Sequence, residues 1–183
     1  MKNIVYIATS ADGFIATKNG SIDWLMQVPN PDNNDYGYAD FMESIDALVM
    51  GRKTYDKVLS FDCDWPYTKK VFVLSNSLKY VDPVVEKQVE IINGSLNDIL
   101  KRLNDNGYKN LYIDGGKTIQ NFLKENLVDE MIITTIPVTL NEGIPLFKNN
   151  DHMSKFKLDS SVTYKNGMIK NHYKKDFLSQ VYS

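Results

Sequence analysis

The stretch Gly51-Arg52-Lys53-Thr54 places a glycine, two cations and a hydroxyl directly after the apolar run 47–50. If that run is a buried strand and a helix begins next, the first N–H groups of the helix have no intrahelical acceptor, and the helix dipole favours an anion there. An arginine can bind a phosphate through two parallel hydrogen bonds, and a lysine adds a second positive charge. The stretch therefore predicts a phosphate site. A glycine turn before a solvated helix face is the alternative interpretation.

A second stretch, Asp114-Gly115-Gly116-Lys117-Thr118, also joins an apolar run to residues with helical spacing. Two consecutive glycines leave the main chain bare, so a pyrophosphate can approach the backbone amides without meeting a side chain. The spacing matches neither the three-glycine dinucleotide fingerprint nor the P-loop. A tight corner between a strand and a helix would also use two glycines, and this alternative stays open.

Two further strand ends carry residues that suit a ligand. Ser75, Asn76 and Ser77 follow the run 71–74, where they could bind a ribose or its phosphate, or merely cap the next turn. The run that contains Ala8 leads into a long loop with glycines, and Trp24 lies at the exit of that loop. Such a loop can close over a ligand and exclude water. An isolated tryptophan is also a common core residue.

The elements that must position these stretches are short apolar runs that alternate with helical patterns. Strands separated by helices indicate a mostly parallel sheet with helices on both faces. A capping box at Ser95 and a glycine at Gly107 delimit the clearest helix. The chain ends in a hairpin pattern, 156–164 and 168–175, with an Asn-Gly turn. We therefore predict one α/β domain over residues 1–183, a three-layer αβα sandwich whose mostly parallel sheet ends in an antiparallel hairpin. The predicted parallel strands are 4–8, 47–50, 71–74, 89–92, 111–113 and 131–136.

The composition excludes several classes of function. A formal net charge of −2 over 183 residues argues against general nucleic-acid affinity, which normally requires a basic excess. Cys63 is the single cysteine, and the two histidines lie apart in the sequence, so we predict no disulfide and no metal site. The first apolar run is too short for a signal peptide, and no run approaches membrane-spanning length. We expect a cytoplasmic protein without a nucleic-acid or membrane partner.

The four stretches occur in the order, and near the spacing, of the dihydrofolate reductase superfamily, which the chain resembles over nearly its full length. The segment "VMGRKTY", residues 49–55, is similar to dihydrofolate reductases themselves. The segment 112–147, which begins "YIDGGKTIQNFLKENLVDEMIIT", is more similar to the reductase domain of the bifunctional riboflavin-biosynthesis deaminase–reductase and to its stand-alone bacterial relatives. The resemblance implies a dihydrofolate reductase-like mixed sheet and the cofactor NADPH.

The resemblance also implies a role for each matching residue. The nicotinamide ring would be framed by Ala8 and Ile15, and the adenosine ribose would lie beside Ser75 and Asn76. The cations of the first stretch would favour the 2′-phosphate of NADP, and its phosphate-holding residues would be Gly51, Arg52, Lys53 and Thr54. The pyrophosphate would be wrapped by Asp114, Gly115, Gly116, Lys117 and Thr118. In the family, the peptide bond between the two glycines is typically cis.

The expected substrate side departs from dihydrofolate reductases. When Phe41 is set against the phenylalanine of the family's substrate-binding helix, Gly37 falls where the pterin-binding carboxylate belongs. Asp35 and Asp40 lie nearby, and either could replace that acid after a loop adjustment. We predict Asp40 as the proton donor, directly or through a water. An acid in a first helical turn also complements the helix dipole, which is the alternative reason for Asp40.

The sequence thus predicts an NADPH-dependent reductase that transfers a hydride to a small heterocycle, such as a pterin, or to a pyrimidine or sugar-phosphate derivative. The substrate would lie between Trp24, the helix around Phe41 and the strand end near Thr134. Four alternatives stay open: dihydrofolate reductase proper, a free-standing riboflavin-pathway reductase, a non-catalytic NADP-binding protein, and an interaction module that uses the loop 27–37 or the hairpin. The riboflavin-pathway resemblance also implies a homodimer.

Overall fold

An eight-stranded sheet forms the centre of the molecule in a computed structural model that describes residues 1–148 and 150–176. The strands of the chain are β1 (Lys2–Ser10), β2 (Phe14–Ala16), β3 (Ala47–Gly51), β4 (Lys70–Leu74), β5 (Val89–Ile92), β6 (Asn110–Asp114), β7 (Glu130–Ile136), β8 (Ile144–Pro145), β9 (Phe156–Thr163) and β10 (Ile169–Lys175). The order in the large sheet is β5-β4-β3-β6-β1-β7-β10-β9. The first six strands in this order run parallel to one another. β10 pairs antiparallel with β7, and β9 pairs antiparallel with β10.

Helices cover both faces of this sheet. They are α1 (Tyr38–Ser44), α2 (Arg52–Leu59), α3 (Leu96–Asp105) and α4 (Gly116–Lys124), with 3-10 turns at Asp23–Gln27 and Asn150–Lys155. Side chains of α1 and α2 pack in one buried cluster, and side chains of α3 and α4 pack in another. Successive residues of β3 alternate between them: Leu48 joins the first cluster and Val49 the second. Each face of the sheet therefore packs against its own layer of helices.

The structure confirms the predicted fold class, and each predicted strand ends within two residues of its expected bounds. The helix expected after Ser95 is α3, where the Ser95 Oγ accepts a hydrogen bond from the Asp98 N–H. The hairpin is also present. A hydrogen bond of 2.9 Å from the Tyr164 N–H to the Met168 carbonyl oxygen closes its turn, which spans residues 165–167. The sequence did not indicate the short strands β2 and β8, which pair with each other. The predicted domain end at residue 183 lies outside the described residues.

Two negative findings concern the described residues, 1–148 and 150–176. No helix among them has the length and apolar character needed to cross a bilayer. Their histidine, cysteine and carboxylate side chains form no group of three or more that could hold a metal ion.

Candidate functional site

The carboxyl ends of β3 and β6 lie side by side, so the two glycine stretches meet. Gly51 is the last residue of β3, and its neighbour Met50 is the register partner of Asp114. α2 begins at Arg52 and α4 at Gly116, directly after these strands. The two stretches in which the sequence predicted phosphate sites are therefore neighbours at one edge of the sheet.

Each stretch contributes a glycine that packs against a threonine of the other. A Cβ atom on Gly51 would lie 2.8 Å from the Thr118 hydroxyl oxygen, and a Cβ atom on Gly115 would lie 2.1 Å from the Thr54 hydroxyl oxygen. Gly115 also has a φ of +88°, in the left-handed region that favours glycine. These contacts lock the starts of α2 and α4 together. We call Gly51, Thr54, Gly115, Gly116 and Thr118 the glycine cradle.

Gly116 packs against the long loop that follows β1. A Cβ atom on Gly116 would lie 2.3 Å from the Cδ1 atom of Ile15. The peptide bond between Gly115 and Gly116 is trans, so the cis geometry expected from the resemblance was wrong. The chain's own Thr54 and Ile15 side chains occupy the space beside the two glycines, and this packing could not be seen in the sequence.

α2 and α4 begin without a side-chain cap, unlike α3. Their N-cap residues are Gly51 and Gly115, and neither first turn contains an acid. At the start of α3, the Ser95 hydroxyl caps the helix and Asp98 supplies a negative charge. The first amides of α2 and α4 are therefore suited to an anion, whereas α3 satisfies its N-terminus from within the chain.

The cations beside the glycine cradle project toward solvent. The Arg52 side chain is 50% exposed, and its Nε lies 3.3 Å from a carboxylate oxygen of Asp56. Its Nη1 donates a hydrogen bond to the Ser77 hydroxyl at 3.0 Å. Lys53 and Lys117 are exposed as well. Exposed ion pairs of this kind are weak, so a phosphate could recruit the Arg52 guanidinium without a large cost.

The residues after β4 divide their roles differently from the prediction. The Ser75 hydroxyl accepts hydrogen bonds from the N–H groups of Ser77 and Leu78 at 3.2 and 2.9 Å, so it caps the turn. Asn76 is exposed. Ser77, which the sequence grouped with Ser75 and Asn76 but to which the resemblance gave no role, is the residue that contacts Arg52.

A cleft of about 230 Å³ opens beside β1 and β7. Ala8 and Thr134 are register partners on these strands, and both line the cleft. The sequence predicted Ala8 beside the nicotinamide and Thr134 beside the substrate, and the structure brings them together on one wall. The full lining is Tyr6, Ala8, Leu25, Asp35, Tyr36, Tyr38, Thr134, Ile136 and Met168.

Trp24 and Phe41, predicted to contact the substrate, support this wall from behind. Trp24 is 3% exposed and packs with Ile136 and Met168. Phe41 is 6% exposed, and its ring stacks on that of Tyr6 with the centroids 4.6 Å apart. Tyr6 is therefore the aromatic face that a bound molecule would meet, with Phe41 beneath it.

Of the two candidate carboxylates, Asp35 lines the cleft, whereas Asp40 is an exposed residue in the first turn of α1. The Asp35 carboxylate accepts hydrogen bonds from the N–H groups of Ala39 and Gly37, each at 2.9 Å. These bonds cap α1 and hold the pKa of the Asp35 carboxyl below its usual value. The predicted role of Asp40 as proton donor stays a prediction.

Tyr36 is fixed beside the cleft in an unusual backbone conformation, with a φ of +55°. Its carbonyl oxygen accepts hydrogen bonds from the Lys170 Nζ at 2.6 Å, the Tyr6 hydroxyl at 3.2 Å and the Tyr164 hydroxyl at 3.4 Å. These donors come from β10, β1 and the hairpin turn. The loop 27–37 is therefore tied to the sheet at its end. We call Tyr36, Tyr6, Tyr164 and Lys170 the Tyr36 anchor.

Asp114 lies among buried tyrosines rather than in the exposed part of the site. Burial raises the pKa of its carboxyl, while the Gly115 N–H at 2.7 Å and the hydroxyls of Tyr112 and Tyr67 act in the opposite direction. Burial and the nearby Asp114 charge raise the pKa of Tyr38 to about 12. With this raised pKa, the Tyr38 phenol stays protonated at neutral pH. Because Tyr38 lines the cleft, its hydroxyl can donate a hydrogen bond there.

The long loop after β1, expected to close over a ligand, is fixed at its base. The Asp12 carboxylate accepts hydrogen bonds from the Ser10 hydroxyl at 2.6 Å and from the N–H groups of Leu140 and Asn141 at 3.2 and 2.8 Å. β2, which lies in this loop, also pairs with β8. These contacts place Ile15 over Gly116, so the loop is already part of the cradle wall.

The model of the RibD C-terminal domain family matches residues 2–170 of the chain. A protein of Shewanella sp. PV-4 that has been assigned provisionally to riboflavin biosynthesis is 51% identical in sequence. The match covers 96% of this chain and 99% of that protein, and the two structures superpose with a TM-score of 0.91.

Two more distant structures share the fold. The diaminohydroxyphosphoribosylaminopyrimidine deaminase/5-amino-6-(5-phosphoribosylamino)uracil reductase of Thermotoga maritima is 15% identical, with a TM-score of 0.74 over 96% of this chain and 56% of that one. The dihydrofolate reductase of Enterococcus faecalis, solved with NADP(H) and RAB-propyl, is 15% identical, with a TM-score of 0.64 over 96% of both chains. The likeness confirms the dihydrofolate reductase-like architecture expected from the sequence.

Proposed function

The chain belongs to the RibD C-terminal domain family, and from that membership we propose that it is an NADPH-dependent reductase that transfers a hydride to a small heterocyclic molecule. The observation that carries the proposal is the arrangement of the glycine cradle and the cleft. The cradle lies at the ends of β3 and β6, and the cleft lies at the next two strands of the sheet, β1 and β7. These four strands are parallel, so their carboxyl ends share one edge, where α/β sheets bind their ligands.

The residues of the cradle fit a phosphorylated dinucleotide. Its two helix starts have no side-chain cap, and Arg52 and Lys53 add exposed positive charge beside them. Because Gly115 and Gly116 leave no room for a side chain, contact with the phosphates would be made by main-chain N–H groups. When bound, NADPH supplies the hydride, and the protein orients the partner. We propose that Arg52 and Lys53 select the cofactor through its 2′-phosphate.

The cleft residues would orient the substrate through donors and one acceptor. Burial raises the pKa of Tyr6 and of Tyr38 to about 12, so both phenols are protonated at neutral pH. The Tyr6 hydroxyl already donates to the Tyr36 carbonyl oxygen, so the Tyr38 hydroxyl would be the donor to a substrate. Asp35 is ionised and would accept a hydrogen bond from the substrate. An ionised Asp35 orients a substrate N–H group rather than protonating it. Asp40, or a water bound to it, is retained as the proposed proton source.

The test follows the hydride rather than the loss of NADPH alone. Purified protein is titrated with NADPH and NADH by calorimetry, and is then incubated with NADPH deuterated at the transferred position. Candidate acceptors are dihydrofolate and the phosphoribosylaminouracil named for the Thermotoga maritima enzyme. Mass spectrometry should find deuterium in a reduced product. The reductase proposal fails if NADPH does not bind, or if it binds and deuterium reaches none of a broad panel of heterocycles.

A non-catalytic NADP-binding protein is the second candidate, and one observation favours it. Among the described residues that line the cleft, Asp35 is the only acid, and both of its carboxylate oxygens already accept hydrogen bonds that cap α1. Tight NADPH binding without deuterium transfer would support this candidate.

We also propose a homodimer, as the resemblance implied. β9 is one of the two outer strands of the sheet. Leu158 and Val162 on this strand are 56% and 45% exposed. Analytical ultracentrifugation measures the mass directly. A charge placed at Leu158 should convert a dimer into a monomer if β9 forms the interface.

A further inference from the structure

We infer that the substrate of this chain carries no phosphate group and presents a planar ring that is neutral or cationic. This inference rests on the proposed reductase function and narrows its substrate class. It is carried by the distribution of charge around the cleft, which is opposite to the distribution around the glycine cradle.

The lining of the cleft, over the described residues, contains one charged side chain, the Asp35 carboxylate. The two N–H groups that bond to Asp35, together with the nearby Lys170 charge, lower the pKa of this exposed carboxyl, so it is negative at neutral pH. A phosphate ester carries about two negative charges near neutral pH. Such a group would leave water to meet a like charge, which disfavours binding.

The segment that forms one side of the cleft is acidic throughout. Between Lys18 and Arg52 the sequence contains no lysine, arginine or histidine. The same segment contains the acids Asp23, Asp32, Asp35, Asp40, Glu43 and Asp46. It supplies Leu25, Tyr36 and Tyr38 to the lining. Asp35 is the one acid of this segment that lines the cleft, and the segment supplies no cation to the lining.

Lys170 is the cation that comes nearest to the wall, and it has another task. It is the register partner of Thr134, which lines the cleft. Its Nζ donates to the Tyr36 carbonyl oxygen at 2.6 Å and lies 6.0 Å from the centre of the Tyr164 ring. Moving Lys170 to a phosphate would remove the shortest bond of the Tyr36 anchor. The lysine thus positions the loop, and it is not free to bind an anion at no cost.

The remaining lining favours a flat, mostly apolar molecule. Tyr6, Tyr36 and Tyr38 contribute aromatic rings, and Ala8 and Ile136 contribute apolar surface. Aromatic side chains bind planar rings by stacking and by edge contacts, and they bind cations through their faces. The cleft has a volume of about 230 Å³, just below the roughly 300–1,000 Å³ usual for ligand pockets, and it is open to solvent.

The test compares matched ligands on protein saturated with NADP⁺, so that no hydride transfer is required. The probes are the phosphoribosylaminouracil, the same compound without its phosphate, and a diaminopyrimidine, each titrated by calorimetry. We expect the unphosphorylated uracil or the diaminopyrimidine to bind at least roughly tenfold more tightly than the phosphorylated compound, about the value of one lost charge-assisted hydrogen bond. Equal or tighter binding of the phosphorylated compound overturns the inference. Binding of none of the three also overturns it.

Two variants separate the charge of the cleft from its shape. Tyr38→Arg adds a cation at the lining and should shift the preference toward the phosphorylated compound by roughly tenfold or more. Tyr80→Arg, at an 83% exposed tyrosine outside the cleft lining, is the control and should leave the ratio unchanged. An unchanged ratio in Tyr38→Arg that still binds the unphosphorylated probe counts against the inference.

Lys170→Met tests the rival explanation that Lys170 is itself a phosphate ligand. We expect this variant to weaken all probes alike, because it loosens the Tyr36 anchor. A selective loss of the phosphorylated compound would overturn the inference. Lys165→Met, at an exposed lysine of the same hairpin, is the matched control. The deuterium experiment decides the reductase proposal independently, because it follows hydride transfer and these titrations follow binding alone.

Discussion

The glycine cradle and the cleft lie at the same edge of the sheet, but they are built from different parts of the chain. The cradle comes from two continuous stretches, and its shape depends on main-chain conformation and on glycines with no room for a Cβ atom. The cleft comes from side chains of β1, the segment 25–38, β7 and the start of β10. The cradle is bordered by exposed cations, whereas the one charged side chain among the described residues that line the cleft is the Asp35 carboxylate.

This difference indicates how the two regions would respond to change. A substitution in the cradle disturbs backbone geometry that several contacts share, so it should affect both folding and cofactor binding. A substitution in the cleft replaces one side chain on an intact wall, so it should change the choice of substrate. The following predictions test that division, from the largest expected effect to the smallest.

Gly115→Ala should cause the largest loss of stability. The new Cβ would meet the Thr54 hydroxyl oxygen at 2.1 Å, and φ at this position is +88°. We expect the free energy of unfolding to fall by roughly 2–6 kcal/mol, from backbone strain together with overpacking. Gly107→Ala is the matched control, because Gly107 has a φ of +92° with no atom within 4 Å of its Cβ position. Urea unfolding should give about 1–2 kcal/mol for the control. Equal losses would show that the contact with Thr54 contributes nothing.

Gly116→Val should abolish NADPH binding while the protein stays folded. The side chain would meet the flexible end of Ile15 rather than rigid backbone, so the stability cost should be only roughly 1–3 kcal/mol. The main-chain amides, however, would no longer be accessible to a pyrophosphate, and the affinity for NADPH should fall at least roughly 100-fold. Calorimetry measures the affinity, and circular dichroism checks the fold. Normal NADPH binding by this variant would mean that the backbone does not approach the cofactor here.

Arg52→Ala should weaken NADPH binding roughly 10- to 100-fold and change NADH binding much less. The reason is that only NADPH carries the 2′-phosphate that we assign to this guanidinium. Arg102→Ala serves as the control, because Arg102 is an exposed arginine on a different helix, α3, where it pairs with Glu90 of β5. If NADPH and NADH lose affinity equally, the assignment of Arg52 to the 2′-phosphate is wrong.

Tyr6→Phe should have a smaller effect, confined to the cleft. It removes the hydroxyl that donates to the Tyr36 carbonyl oxygen at 3.2 Å but keeps the ring that stacks on Phe41. We expect a loss of about 0.5–1.5 kcal/mol in stability, because Lys170 still donates to the same carbonyl. Affinity for NADPH should stay at the wild-type value. A loss of NADPH binding comparable to that of Arg52→Ala would contradict the division between cradle and cleft.

Asp35→Asn should have the smallest effect on stability, and that effect should depend on pH. The pKa of Asp35 is lowered in the folded protein by its bonds to Ala39 and Gly37, so its contribution is present above the ordinary value of 3.8. It is lost as the pH falls through the lowered pKa. Thermal unfolding of wild type and variant should therefore differ at neutral pH and converge in acid. A constant difference over the whole range would show that the carboxylate charge does not stabilise α1.

Much of the fold and of the cradle could be predicted from the sequence, because their signals are local. The apolar runs gave the parallel strands, and the serine and glycine at its ends gave α3. The two glycine stretches likewise follow strands directly, so their place at strand ends was predictable. The partners of the glycines were not. Thr54 and Ile15 lie far from Gly115 and Gly116 in the sequence, and no local pattern indicates that they meet.

The cleft was predicted less completely. Thr134 and Ala8 line it, but Trp24 and Phe41 pack behind its wall. The sequence did not indicate the three tyrosines of the lining, Tyr6, Tyr36 and Tyr38. A tyrosine in a strand or loop has no spacing that distinguishes a ligand contact from core packing. The chemistry of the substrate side therefore depended on which face each side chain took.

The sequence by itself determined where the parallel strands and α3 begin, and which segments carry positive or negative charge. These properties depend on residue type and on neighbours within a few positions. Only the tertiary structure decided that the Tyr36 carbonyl oxygen accepts hydrogen bonds from three distant segments. It also decided that the Asp35 carboxylate caps α1 and that the two glycine stretches pack against each other. Those outcomes depend on strand register and on packing between layers, which join residues that the chain separates by tens of positions.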